Sequence, residues 1–278
     1  MIISSKSFDK DKVTAKDVPI STYPVGSSIF IDIDGTPHEF LVVHHGNPDE
    51  SIYDSSCEGT WLLMKDVYEQ RAYSEGTREN RFGRASIYNY LNETFLSLFP
   101  TYIQAAIKTV DIPCVTSITS ATKYTVANVS TNIFLLSKLE VGYYDSTSNY
   151  AVGLSDTSEG TESSEESEDT EESETATVYL DGSKLDYFLY VNDFSFYRAS
   201  TLNGNPCCWY LRTPFYYAKG MYDRNVVCRN FGEFGYTNSN TTTIVNNYDS
   251  AIVGIRPALI LLSDTLINTY TNRIVEVN

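Results

Sequence analysis

The sequence has 278 residues, 42% of them hydrophobic, which is enough to bury one large core or two smaller ones. Its 36 acidic and 20 basic residues give a formal net charge of −16. Because no basic stripe can follow a phosphate backbone, these numbers exclude a typical nucleic-acid-binding protein. No run approaches the roughly 18 apolar residues that a membrane span requires, so no membrane insertion is expected.

The first 23 residues are polar and rich in lysine and aspartate. Residues 1–23 are therefore predicted to be an arm that attaches the protein to a carrier, and residues 24–278 are predicted to form one domain. The arm contains no apolar stretch of the signal-peptide type, so we expect synthesis without a signal peptide.

The domain is predicted to begin with strands. Asp34-Gly35 separates two β-rich runs, residues 28–34 and 38–45, and an Asp-Gly pair in this position is a strong hairpin signal. Residues 60–65 predict a further short strand.

Helical spacing follows. Apolar residues recur every three or four positions over residues 84–98, which predicts a helix that Ser86 caps and Pro100 ends. Residues 102–108 predict a second short helix. Two short strands are then expected, at residues 110–115 and 133–136.

An acidic, low-complexity stretch interrupts the domain. Residues 155–177 contain ten acidic residues and neither lysine nor arginine. Such a composition cannot bury enough apolar surface to fold, so a disordered acidic loop is predicted. It could be a solvated spacer or bind calcium or a partner, although the spacing of an EF-hand is absent.

The domain closes on residues 253–262, a nearly all-apolar run that predicts a strand in the centre of a sheet. Two short helices among several short, mainly antiparallel strands indicate the α+β class.

Tyrosine and asparagine are concentrated between residues 191 and 250, and the whole chain has 22 tyrosines. Rigid aromatic side chains beside small polar ones are typical of antibody-like recognition surfaces, although ordinary loops also favour asparagine and serine. The candidate ligand-binding residues are Tyr210, Tyr216, Tyr217, Tyr222, Asp223, Asn225, Asn230, Tyr236, Asn238, Asn240, Asn246, Asn247, Tyr248 and Asp249.

Five short motifs occur in a recognisable order, and they start at Gly59, Tyr88, Ile133, Trp209 and Gly254. They read Gly-Thr-Trp-Leu-Leu-Met-Lys, Tyr-Asn-Tyr-Leu-Asn-Glu-Thr-Phe-Leu, Ile-Phe-Leu-Leu-Ser-Lys-Leu-Glu-Val-Gly, Trp-Tyr-Leu-Arg-Thr-Pro and Gly-Ile-Arg-Pro-Ala-Leu. In this order and spacing the chain resembles the DUF6273 family.

That resemblance implies a C-type-lectin-like fold of the formylglycine-generating-enzyme type. The same fold serves the variable proteins of diversity-generating retroelements, including receptor-binding proteins of phage tails. In those proteins a fixed scaffold holds variable residues just before a closing Gly-(Ile/Phe)-Arg-Pro strand. Here residues 210–249 precede Gly254, with Trp209 and the closing strand as framework.

Enzymes of this fold use a separated cysteine pair with copper or three histidines with iron. The five cysteines are irregularly spaced, Cys207 and Cys208 are adjacent, and no Cys-x-x-Cys pair suggests zinc. The only histidines are His38, His44 and His45, and adjacent strand residues face opposite sides. We therefore expect free packing thiols, no metal, no cofactor and no enzymatic activity. Calcium-dependent sugar binding is suggested only by Asn192-Asp193.

The sequence thus predicts a ligand-binding display protein, in particular a receptor-binding or adhesin protein of a phage tail. Its expected partners are a host cell-surface protein or glycan and, through the arm, a tail or carrier protein, and one expected assembly is a homotrimer. The expected location is the virion or the bacterial cell surface. One alternative is a bacterial interaction protein of the same fold with a fixed ligand, and another is a redox or metal enzyme.

Overall fold

The architecture comes from a computed structural model that describes residues 16–76, 79–120, 123–142, 181–189, 198–217, 221–228, 242–246 and 253–276. Within these ranges the protein is mixed α+β, with many strands and few helical turns, compatible with the predicted class. The acidic loop predicted at 155–177 and Asn192-Asp193 lie outside the described residues.

Most strands are short, and all are numbered in chain order. They are β1 Asp17–Pro19, β2 Ser28–Ile33, β3 Thr36–His45, β4 Thr60–Met64, β5 Glu69–Gln70, β6 Val110–Ser120, β7 Lys123–Thr131, β8 Ile133–Phe134, β9 Thr201–Leu202, β10 Asn205–Pro206, β11 Trp209–Tyr217, β12 Met221–Cys228, β13 Thr242–Asn246, β14 Gly254–Ile255, β15 Ala258–Leu261, β16 Leu266–Asn268 and β17 Arg273–Ile274.

These strands form two larger sheets and two ribbons. The eight-stranded sheet has the order β1-β16-β17-β2-β3-β4-β15-β8, and the five-stranded sheet has the order β13-β12-β11-β14-β5. The ribbons are β6-β7 and β9-β10. One continuous core runs from the isoleucines of β2 through Trp61 to Trp209, so both sheets belong to one folded unit in which the described parts pack together.

The first hairpin is confirmed. β2 and β3 pair antiparallel from Ser28 to Ile33, and the turn residues Asp34 and Gly35 have φ angles of 49° and 73°. Positive φ at both central positions is the geometry that Asp-Gly favours, and its twist matches that of the flanking strands. Alternate isoleucines of β2 are buried, which fixes the register.

The predicted start of the domain is wrong. β1 pairs with β16, and the next residue, Ile20, is fully buried. The fold therefore includes residues that we assigned to the arm, because burying Ile20 and pairing one more strand stabilise the edge of the large sheet. Residues 1–15 of the predicted arm lie outside the described residues.

The helix predicted at 84–98 is present as one helical segment over residues 86–97. It begins with α1, Ser86–Asn89, and continues through a wider π-helical stretch, Tyr90–Phe95. Ser86 does not cap the helix, because Ala85 occupies the cap position and the Ser86 hydroxyl accepts a hydrogen bond from the Glu75 backbone N–H at 2.8 Å.

The second helix, α2, spans Thr101–Ala106 and ends before Lys108. The Lys108 N–H donates to the carbonyl of Ile260 at 2.9 Å, and Ile107 forms a bridge with Leu261. The helix therefore ends because the backbone of Ile107 and Lys108 bonds to the sheet instead. The remaining short helical turns are 3₁₀ turns at Ile20–Thr22, Ser55–Cys57, Phe82–Arg84 and Asp186–Phe188.

The closing apolar run is buried as predicted, but it is not one central strand. β14 lies between β11 and β5 in the smaller sheet, whereas β15 lies between β4 and the edge strand β8 in the larger one. Arg256 and Pro257 separate the two strands. Pro257 has no N–H for a ladder bond, so the run changes sheets at this point and ties the two sheets together.

Candidate functional site

Most of the described candidate contact residues lie on three neighbouring strands. β12 pairs antiparallel with both β11 and β13 at one end of the five-stranded sheet. Asn225 lies opposite Pro214 on one side and Val245 on the other, and Arg224 lies opposite Asn246. The backbone therefore brings candidates that are distant in sequence into adjacent register positions.

Trp209 anchors this sheet at the base of β11. Its indole is fully buried and donates from Nε1 to the carbonyl of Arg198 at 2.9 Å. The guanidinium of Arg256 lies over the ring, 4.8 Å from its centroid, and Arg256 Nε donates to the carbonyl of Met64 at 2.7 Å. This arrangement joins the small sheet to the large one through a cation–π contact.

Gly254 allows the two framework motifs to meet. Its N–H donates to the carbonyl of Cys208 at 2.8 Å, and it pairs in register with Trp209. A Cβ at this position would lie 2.4 Å from Cγ1 of Val67 and 3.0 Å from the Cys208 carbonyl oxygen. The Gly-Ile-Arg-Pro motif therefore begins with glycine because nothing larger fits at this approach.

A second buried arginine lies three residues further along β11. Arg212 forms two hydrogen bonds with Glu140, at 2.5 Å and 2.6 Å, and both side chains are fully enclosed. Its remaining donors reach the carbonyls of Pro113, Leu135 and Asp181. The planar guanidinium thus satisfies a carboxylate and three backbone segments at once.

The same cluster contains a second carboxylate. Asp181 Oδ2 accepts from the Thr213 hydroxyl at 2.6 Å, while Asp181 Oδ1 is buried and has no hydrogen-bond partner among the described residues. Burial raises the pKa of Asp181 from 3.8 to about 6, against the opposing effect of Arg212.

Tyr53 completes the cluster from the other side. Its hydroxyl donates to Glu140 at 2.8 Å and accepts from the Ser183 backbone N–H at 2.8 Å. Burial, and next the charge of Glu140, hold the tyrosine pKa well above its usual value. Because the cluster is closed to solvent, it can hold the scaffold rigid but cannot reach a ligand.

Tyr210 is a correction to the predicted contact set. Its side chain is fully buried and packs edge-to-face on Tyr73, with ring centroids 5.2 Å apart, and burial raises its pKa to about 12. The residue lies between Trp209 and Leu211 in the framework motif and belongs to the core, so it cannot touch a ligand.

The other candidates divide into two sets. The backbone is described in strands for Tyr216, Tyr217, Tyr222, Asp223, Asn225 and Asn246. Outside the described residues lie Asn230, Tyr236, Asn238, Asn240, Asn247, Tyr248 and Asp249.

The three histidines have separate surroundings. His44 Nδ1 lies 2.9 Å from Asp186 Oδ2, and burial lowers the pKa of its imidazole despite that neighbour. His45 bonds to Thr60 and to the Tyr23 carbonyl, and His38 stacks edge-on against Tyr68. No group of three metal-ligating side chains occurs in the described part of the chain.

The described cysteines are Cys57, Cys114, Cys207 and Cys208, and all four are buried. Burial raises the pKa of the Cys57 and Cys114 thiols to about 12. Cys57 and Cys114 are therefore unreactive packing thiols at neutral pH.

Sequence patterns missed the partners inside the scaffold. Glu140 and Asp181 were not candidates, and Glu140 shares its motif with a second charged residue, Lys138. Arg212 and Arg256 carried a clearer signal, since each is the single charge in its motif and a lone charge in an apolar run indicates a buried partner. Pairing of Glu140 with Arg212 spans 72 residues and is visible only in the folded chain.

Comparison with known proteins gives one match. The family model described as a domain of unknown function (DUF6273) matches residues 58–263. No curated protein and no solved structure matches the chain. Among the described residues, no helix is both long and apolar enough to cross a membrane. The match covers most of the sequence and includes all five motifs described above. The chain therefore belongs to the DUF6273 family.

Proposed function

We propose that this protein is a ligand-binding display protein whose outer strands contact a target on a host cell surface. One observation carries the proposal. The first part of β11 is held in a buried framework through Arg212, and the chain from the end of β11 onward is rich in tyrosine and asparagine. A rigid scaffold below such residues suits recognition, because the aromatic rings give contact area at low entropic cost.

The finer form of the proposal is a C-type-lectin-like domain that acts as a phage tail receptor-binding or adhesin protein. It is supported by the motif order and by the Gly254-Ile-Arg-Pro257 closure that follows the predicted contact segment. The partners would be a host surface protein or glycan and a tail or carrier protein bound through the N-terminal arm. The protein would then act on the virion or on a bacterial surface.

The proposed activity is binding without catalysis, metal or cofactor. It is supported by the separate surroundings of the histidines and by the high thiol pKa values. The proposed contacts come from Tyr216, Tyr217, Tyr222, Asp223, Asn225 and Asn246, together with the candidates outside the described residues, and exclude Tyr210.

The test replaces Tyr217, Tyr222 and Tyr236 together with alanine. Fluorescently labelled protein is added to a panel of intact bacterial strains, and binding is measured by flow cytometry. We expect the triple variant to lose binding, since large aromatic side chains dominate contact energies, while its unfolding midpoint stays near that of the parent.

Tyr270 supplies the control, because it is 76% exposed and lies in the turn between β16 and β17 of the large sheet. Tyr270→Ala should bind as the parent does. Undiminished binding by the triple variant would show that the proposed surface is wrong, and a parent protein that binds no strain would count against a cell-surface target.

Neighbouring DNA separates the two binding hypotheses. Phage structural genes, or an adenine-rich template repeat beside a reverse transcriptase gene, would favour a diversified phage protein. Ordinary bacterial genes without such a repeat would favour an interaction protein with one fixed ligand.

A further inference from the structure

The chain re-enters the described fold at Asp181, and residues 181–185, here called the return segment, lie against the buried cluster around Arg212. Backbone hydrogen bonds hold this segment in place. They join Arg212 Nη2 to the Asp181 carbonyl at 2.7 Å, the Ser183 N–H to the Tyr53 hydroxyl at 2.8 Å, and the Leu185 N–H to the Glu140 carbonyl at 3.1 Å. The return segment is thus bound by the same side chains that form the cluster and by the turn that carries Glu140.

The contact between the return segment and the cluster is close. A Cβ on Gly182 would lie 2.5 Å from the Ser137 hydroxyl oxygen and 2.9 Å from the Tyr53 hydroxyl oxygen. Asp181 itself is only 1% exposed. Its carboxyl group is therefore shielded from water for as long as the segment stays docked.

The charges of this cluster do not balance. Two carboxylates, Glu140 and Asp181, share one guanidinium, that of Arg212. The Cys114 thiol and the Tyr53 hydroxyl also face the cluster, and burial raises the pKa of both, so they stay neutral. Because both oxygens of Glu140 accept from Arg212, Glu140 is the partner that neutralises the guanidinium. The excess negative charge falls on Asp181.

The two oxygens of Asp181 have different surroundings. Oδ2 accepts from the Thr213 hydroxyl at 2.6 Å, whereas Oδ1 is buried and has no hydrogen-bond partner among the described residues. A buried carboxylate with one bare oxygen is costly, and a neutral O–H at the same place costs less. Burial accordingly raises the pKa of Asp181 to about 6. Ionisation of Asp181 therefore opposes docking of the return segment.

We propose that the return segment is a pH-sensitive switch, which stays docked while Asp181 carries a proton and opens locally more often once Asp181 is ionised. In the open form water can solvate both carboxylate oxygens. The docked form holds the proton more tightly, so docking is most stable below pH 3.8 and weakens as the pH rises to about 6. This inference concerns the scaffold and does not depend on the proposed ligand contacts.

The test is hydrogen–deuterium exchange of the full chain at pH 5 and pH 7, with mass spectrometry of peptides that cover the return segment. Rates are corrected for the intrinsic effect of pH on exchange. We expect the opening equilibrium to rise about tenfold from pH 5 to pH 7, the ratio that pKa values of about 6 when docked and 3.8 when open imply. Asp181→Asn keeps the shape of the neutral acid but cannot titrate, so it should show no such rise.

Matched variants separate the titration of Asp181 from other effects. Asp264→Asn makes the same chemical change at an exposed position between β15 and β16, and it should keep the tenfold rise. Thr213→Val removes the donor to the ionised carboxylate and should move the rise to higher pH, whereas Thr213→Ser keeps the donor and should behave as the parent does. Circular dichroism identifies any variant that fails to fold, and Asp181→Asn decides the result if Thr213→Val fails.

Peptides from β4 report unfolding of the whole domain, because this strand is buried inside the large sheet. At pH 7 the return segment should exchange faster than β4, as expected for a local opening. Equal protection of the two would mean that the segment opens only on global unfolding and would overturn the proposal. So would exchange in the parent that is the same at both pH values, or a rise that Asp181→Asn retains.

Discussion

Two buried arginines lie near the two ends of the predicted contact segment, residues 210–249, and the fold stabilises them by different means. Arg212, close to the start of the segment, faces the carboxylate of Glu140 through two hydrogen bonds at 2.5 Å and 2.6 Å. Arg256, after it, lies over the neutral indole of Trp209 and donates to the carbonyl of Met64. Both side chains are 1% exposed, so neither charge is screened by water.

The difference lies in what remains when one partner is lost. Removing the Glu140 charge would take the bidentate carboxylate away from the buried Arg212 guanidinium, and breaking a buried ion pair in this way is among the costliest defects in a folded protein. The contacts of Arg256 described above are with neutral groups, so losing one of them removes a stacking contact or a hydrogen bond but no opposite charge. The first anchor therefore depends on charge, whereas the second depends on shape and stacking.

Glu140→Gln should give the largest effect. The substitution keeps the size of the side chain but removes the charge that neutralises Arg212, so we expect the free energy of unfolding to fall by about 3–5 kcal/mol. Urea denaturation at neutral pH measures this change. A loss below 1 kcal/mol would show that Arg212 does not depend on the charge of Glu140.

Asp181→Asn should change the pH dependence of stability at the Arg212 anchor. The folded pKa of about 6 lies above the unfolded value of 3.8, so the folded state holds this proton more tightly, and stability falls as pH rises between these values. We expect the asparagine variant to lack this fall, which amounts to about 3 kcal/mol for a shift of about two pKa units.

The measurement is the difference in unfolding free energy between the Asp181→Asn variant and its parent at pH 4 and pH 7. The difference should grow toward pH 7 in favour of the variant. A constant difference at the two pH values would mean that Asp181 titrates normally.

Gly254→Ala tests the close approach on the Arg256 side. The added Cβ would lie 2.4 Å from Cγ1 of Val67, closer than real Cβ atoms come, and an unusually tight 3.0 Å from the Cys208 carbonyl oxygen. Overpacking of this kind should lower the unfolding free energy by about 2 kcal/mol. The control is Gly35→Ala. A Cβ added at Gly35 would meet nothing within 4 Å, but the φ angle there is +73°, so this variant measures backbone strain without overpacking.

Arg256→Lys should have the smallest effect of the series. Lysine keeps the positive charge but loses the planar face over Trp209 and the fixed Nε donor, so we expect a loss of about 1 kcal/mol. The same change at Arg212 removes the bidentate pairing and should cost more. Equal losses at the two positions, measured by denaturation, would contradict the distinction between a charge-dependent and a shape-dependent anchor.

Local patterns were sufficient wherever the determining contacts are close in sequence. The Asp34-Gly35 turn follows from the φ angles that these two residues tolerate, and alternate burial along β2 follows from the two-residue period of a strand. The five ordered motifs were enough to identify the family. Buried runs such as Ala258–Leu261 were visible because nearly every residue in them is apolar.

The family, the mixed α+β class and the positions of most strands follow from motifs and periodicity in the sequence. Packing between distant parts of the chain makes Ser86 bond to Glu75 instead of capping a helix, and it buries Tyr210 of the predicted contact segment in the protein core. It also decided that Arg212 meets Glu140. The physical reason is that periodicity reports which face of an element is buried, whereas the partner across that face comes from distant parts of the chain.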